Sequence, residues 1–116
     1  MTRYLPTDAQ QWQPIEVRGI PMQACLLWEG EHNVESGLYR LPQGLTIPRH
    51  HHPVWCQVYV VSGAMQVQAD GDDVHTIDAG GYYFVEPGDT HTETALLDTQ
   101  LLVICEEGLP SRKQPL

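Results

Sequence analysis

Residues 50–63 read HHHPVWCQVYVVSG: three consecutive histidines, a proline, then an alternating apolar run closed by serine and glycine. In an extended chain successive side chains point to opposite faces, so His50 and His52 share one side and His51 takes the other. Two imidazoles in that relation can converge on one ion at about 2.0–2.1 Å from each nitrogen, with a third ligand supplied from a distant part of the chain. Beyond Pro53 the same parity turns Cys56, Val58 and Val60 toward a common interior.

Strand-like runs recur on both sides of this stretch. No window holds a 3.6-residue apolar period, and the 10 glycines and 9 prolines punctuate short β-branched, aromatic or alternating segments. The pattern predicts strands over 22–28, 36–41, 45–47, 57–61, 65–69, 73–77, 82–85, 93–97 and 100–105. Asp70-Gly71-Asp72 lies between two of them, and Asp-Gly tolerates positive φ, so 65–69 and 73–77 are expected to form a hairpin. Many short strands at such spacing read as an all-β sandwich or barrel. The segment through Pro14 and the closing EEGLPSRKQPL are polar and proline-punctuated, and are expected to be frayed or draped over the barrel.

The 116 residues suit a single domain, 1–116, with its barrel core over roughly 12–105. Six Lys and Arg against fifteen Asp and Glu leave a formal charge of −9, which repels nucleic acid and gains nothing from an anionic membrane. With no signal-peptide run and no bilayer-spanning stretch, the chain reads as a cytoplasmic protein. Cys25, Cys56 and Cys105 are an odd count without CxxC spacing, so neither a disulfide framework nor a zinc knuckle is suggested. Cys25 and Cys105 sit in apolar strand contexts, where a thiol acts as a small hydrophobe.

The natural third ligand is His91, which follows the tight Pro87-Gly88-Asp89 turn. His32, in a polar loop, and His75 have no ligand-type neighbour at useful spacing and read as ordinary surface or packing residues, as does His51.

Two motifs now stand in order, and together they resemble the cupin family. Gly44, LTIPR, His50, His51, His52, PVW, Cys56, QVYVVS and Gly63 follow the first cupin motif, with cysteine where that motif has glutamate. Gly80, GYYFV, Glu86, Pro87, Gly88, DT and His91 follow the second, with Glu86 at a usual proline and Ala95 where asparagine often stands. The stretches WQPIEVRGIPMQACLLWEGE, GLYRLPQGLTIPRHHH and GGYYFVEPGDTHT are similar to small single-domain cupins, including the cupin of zinc-binding anti-sigma factors, acetylacetone dioxygenase and dihydroxyacetophenone dioxygenase.

The resemblance implies an RmlC-like jelly-roll β-barrel of six to eight strands, commonly a homodimer, holding one divalent metal ion per chain at His50, His52 and His91. Because the family's glutamate ligand is replaced, Cys56 has three open readings: a thiolate ligand, a thiol beside the ion, or packing. Gln57 takes the glutamate's place if the gap is read one residue longer, and Tyr59 and Glu86 are further neighbours by sequence proximity. The resemblance points to a non-haem Fe(II) dioxygenase cleaving a small diketone or aromatic ketone. The alternative is a non-enzymatic zinc sensor or small-molecule binding cupin. Zn, Ni or Mn could occupy the same imidazoles, since ligand type alone does not select among them.

Overall fold

Alternation governs the architecture from end to end. The computed structural model describes residues 1–106, and its strands are β1 (Gln13–Val17), β2 (Ile20–Glu29), β3 (Val34–Leu41), β4 (Thr46–His51), β5 (Cys56–Ser62), β6 (Ala64–Ala69), β7 (His75–Asp78), β8 (Tyr82–Val85), β9 (Thr90–Ala95) and β10 (Thr99–Glu106). Short 3₁₀ turns at Thr7–Ala9 and Glu31–Asn33 are the only helical pieces among the described residues, and no helix there is long and apolar enough to cross a membrane. The C-terminal extension expected beyond the barrel lies, from residue 107 on, outside the described residues.

Two sheets face each other as a jelly roll. The larger has the order β1-β2-β3-β10-β5-β8, the smaller β4-β9-β6-β7, and every pairing is antiparallel. The chain crosses between sheets repeatedly, so residues far apart in sequence line a common interior. Met22 and Ala24 of β2, Tyr39 and Leu41 of β3, Val58 and Val60 of β5, Leu101 of β10, and Met65 and Val67 of β6 form one buried cluster. Val60 and Met65 are wholly excluded from solvent, which places the packed floor of the barrel at the β5–β6 corner.

Several strand limits differ from those predicted. Among the described residues ten strands stand where the resemblance implied six to eight, one of the additions being Gln13–Val17, which folds back on β2 across a two-residue turn. The run expected at 45–47 continues to His51 despite Pro48, and the hairpin after Ala69 forms with its second strand starting at His75. The strand expected at 93–97 instead spans Thr90–Ala95. That shift matters most, since it puts His91 inside a strand rather than in a loop.

The corner between β5 and β6 depends on Gly63. Its φ is +87°, and an added Cβ would stand 2.4 Å from Thr99 Oγ1 and 2.5 Å from the Asp98 carbonyl. Thr99 cannot give way freely, because its hydroxyl receives the Ala64 N–H at 3.1 Å and donates to the Leu97 carbonyl at 2.8 Å. Gly63→Ala is therefore expected to lower unfolding free energy by about 1–3 kcal/mol, measured by urea denaturation; an unchanged midpoint would contradict this account of the corner.

Candidate metal centre

Strand pairing, rather than loop placement, assembles the centre. Along β9, His91, Glu93 and Ala95 alternate inward as Thr92 and Thr94 turn away. On β4 the ladder pairs Ile47 with Glu93 and then His50 with His91, so three steps on β4 match two on β9. The extra residue is a β-bulge at Pro48–Arg49, where proline has no N–H to give to a ladder. Because of it Ile47 and His50, an odd number of positions apart, are both buried.

The bulge also frees the Pro48 carbonyl, which accepts a hydrogen bond from His50 Nδ1 at 2.7 Å. A proton fixed on Nδ1 leaves His50 Nε2 as a bare lone pair aimed inward. His52 lies just past the strand, held by its N–H on the Asp89 carbonyl (2.8 Å) and its C=O on the Gly88 N–H (2.7 Å). Gly88 has φ +95° in the Glu86–Asp89 turn, as the third residue of a type II turn requires. The Pro-Gly turn thus sets His52.

His52 Nε2 stands 3.0 Å and His91 Nε2 2.9 Å from His50 Nε2. Glu93 Oε1 is 3.2 Å from His91 Nε2 and 3.5 Å from His50 Nε2. Donors about 2.1 Å from one ion, at octahedral to tetrahedral angles, lie about 3.0–3.4 Å apart. The four residues therefore fit a single divalent cation, and all four donor atoms fall within 4.8 Å of one another. Lone pairs this close repel unless a cation or a proton sits among them.

Electrostatics point the same way. Burial lowers the pKa of His50 and brings that of His52 to about 4, so both rings are neutral lone-pair donors at pH 7. Burial alone would raise Glu93, but hydrogen bonding to and the charge of His91, the hydrogen bond from Tyr83 and the charge of His50 outweigh it and leave the carboxyl at about 2. The Tyr83 hydroxyl donates to Glu93 Oε2, which leaves Oε1 for the histidines. Burial and the Glu93 charge raise the Tyr83 phenol, so it stays a donor.

The structure brings His50, His52 and His91 together and adds Glu93, which the sequence reading missed. The first motif has its glutamate at the position of Cys56, on β5 of the larger sheet, whereas Glu93 stands on β9 of the smaller one. The signal in the sequence is the His91-x-Glu93 alternation, which a strand starting at residue 93 leaves outside its pattern. Cys56 is not in the donor set: its thiol faces Cys105, whose Sγ donates to it at 2.6 Å. The other neighbours lie elsewhere. Gln57 faces outward and accepts from the Tyr82 hydroxyl at 2.9 Å, Tyr59 is exposed on the same outer face, and Glu86 is exposed in the turn before His91. Odd offsets from Cys56 send Gln57 and Tyr59 out. His32, His51 and His75 are all exposed.

An open-mouthed chamber leads to the cluster. Its wall is mainly apolar, with Met22, Leu41, Val58 and Val85 among the lining residues. Arg18 also lines it, from the two-residue turn joining β1 to β2, where Arg18 and Gly19 take φ +55° and +81° as a type I′ hairpin needs. Arg18 Nη2 donates to the His51 carbonyl at 2.8 Å, fastening that turn to the ligand-bearing strand.

Residues 2–109 match the family described as the ChrR Cupin-like domain. KdgF from Halomonas sp. superposes with a TM-score of 0.78 at 18% identity, over 96% of this chain and 100% of that one. An RmlC-like cupin from Shewanella frigidimarina gives 0.77 at 18%, over 93% of each chain. A predicted oxalate decarboxylase from Thermotoga maritima gives 0.77 at 18%, over 90% of this chain and 98% of that one. At such identities the likeness is one of fold, and the fold is the RmlC-like cupin jelly roll. No curated protein matches the sequence.

Elemental analysis tests the donor set. His52→Ala and Glu93→Gln should each lose most bound metal while His32→Ala keeps it. Tyr83→Phe should weaken metal affinity by about 10–100-fold, the usual effect of removing a partner that orients a ligand. Equal metal content across all four variants would refute the assignment.

Proposed function

This chain belongs to the ChrR cupin-like domain family, and from that premise we propose that it is a non-haem Fe(II) dioxygenase cleaving a small diketone or aromatic ketone at the His50, His52, His91 and Glu93 centre. The observation that carries this reading is a donor set of three imidazoles and one carboxylate at the end of a mainly apolar chamber.

Glu93 revises the charge expected of an all-histidine site. One carboxylate leaves a bound dication with a net +1, so a monoanionic enolate or phenolate ketone neutralises the centre. Iron held there would supply dioxygen chemistry, with two of about six coordination positions left free by the protein. The chain's own residues do the rest. The apolar wall takes the substrate's hydrocarbon body and excludes water. Arg18, carrying a fixed positive charge at the chamber, attracts the anion and can pair with one of its oxygens. Tyr83 keeps Glu93 ionised and oriented while the substrate's charge arrives. Dioxygen is the oxidant, a carbon–carbon bond is broken, and both oxygen atoms end in the two products.

A second reading is a zinc-holding sensor or small-molecule binding cupin. The family match favours it, and so does the donor count, since four protein ligands close a tetrahedral zinc site. Oxygen uptake separates the two. Anaerobically Fe(II)-loaded protein should consume oxygen with a diketone or hydroxyacetophenone, and Arg18→Ala should raise KM about tenfold with a smaller change in kcat. Silence with diketones, hydroxyacetophenones, flavonols and thiols, together with tight zinc retention, would carry the second reading instead.

A homodimer belongs to the same proposal. Strand β8 is an edge of the larger sheet and exposes Tyr82 and Phe84, with Trp55 stacked on Phe84 at 6.4 Å between centroids. Such an edge pairs readily with a second copy. Light scattering should return twice the 13.1 kDa chain mass; a monomer mass at working concentration rejects this part.

A further inference from the structure

We propose that Cys56 and Cys105 form a redox-modification site, in which a hydroperoxide converts two facing thiols of the chamber wall into a disulfide. The proposal starts from strand register. Cys56 opens β5, Cys105 lies near the end of β10, and the two are direct partners across the antiparallel ladder. The neighbouring pair, Trp55 and Glu106, is linked by Glu106 N–H on the Trp55 carbonyl at 3.4 Å. Hydrogen-bonded and non-hydrogen-bonded pairs alternate, so the cysteines occupy a non-hydrogen-bonded pair, where Cα atoms are about 4.5 Å apart and side chains are closest. That separation falls inside the range of about 4.4–6.8 Å that a disulfide spans.

Both side chains point inward and their sulfurs already touch, Cys105 Sγ donating to Cys56 Sγ at 2.6 Å. They are 4% and 5% exposed, yet both line the chamber that reaches the metal cluster, so a small oxidant entering by the mouth meets them. Cys25 is a built-in comparison: it is a buried free thiol on β2 that does not line the chamber.

The reaction balances with the oxidant named. One sulfur attacks the hydroperoxide, the O–O bond breaks, and a sulfenic acid forms with release of an alcohol, or of water from hydrogen peroxide. The second sulfur then displaces that oxygen as water and the S–S bond forms. In total two thiols lose two electrons and two protons, the peroxide is reduced, and a dithiol reductant reverses the change. None of this depends on which metal is bound or on whether the centre is catalytic.

Alkylation counting tests it on the full-length chain with Zn(II) added, so that no redox-active ion contributes. After hydrogen peroxide, quenching, denaturation and iodoacetamide, the three cysteines should accept one label, on Cys25, and digestion should yield a Cys56–Cys105 linked peptide. Dithiothreitol should restore three labels. Cys25→Ser should still give the linked peptide, and Cys105→Ser should give none. Three labels after oxidation, or Cys56 carried to its sulfinic acid without a linked peptide in the unsubstituted chain, would overturn the proposal.

Discussion

The constraint on which the centre rests is the pairing of β4 with β9. Backbone hydrogen bonds lock His50 opposite His91 and Ile47 opposite Glu93, and three of these four side chains then point donor atoms at one spot. Gathering unpaired lone pairs beside an ionised carboxylate in a buried place is unfavourable for the chain alone. The sheets on either side hold the arrangement. A bound cation turns the same crowding into attraction, so metal and fold stabilise one another.

Much of this was legible in the residues. His-x-His on one face and inward Cys56, Val58 and Val60 follow from two-residue alternation, and the third histidine from its place after a Pro-Gly turn, all of them local properties. The identity of the fourth donor was not. Glu93 shares a face with His91, but seeing that required β9 to start at Thr90 rather than at residue 93, and the start is fixed by pairing with β4 and β6. Pairing is a long-range fact that a single strand does not announce. The bulge at Pro48–Arg49 was hidden for the same reason, since it is defined only against its partner.

Arg18 and Tyr83 illustrate a different limit. Neither is a defining position of the two motifs, and each reaches the centre through topology: Arg18 because a short hairpin folds β1 back along β2, Tyr83 because β8 extends the larger sheet beside β5. Gln57 and Tyr59, chosen for nearness to the histidines in sequence, fail on parity alone. Distance along the chain proved a poorer guide than face.

The carbonyl released at the bulge gives His50 an unusual inheritance. Its tautomer is dictated by a main-chain oxygen, not by an Asp or Glu elsewhere in the protein. Side-chain replacements can still tune the basicity of that imidazole through charge, since Glu93 raises it and His91 and Arg18 lower it, but none of them supplies the Nδ1 contact. A change of chain length in β4, or of the proline that keeps the ladder from closing over the gap, would take that oxygen away, so the orientation of the ring is tied to the backbone of the bulge while its charge environment stays open to drift in sequence.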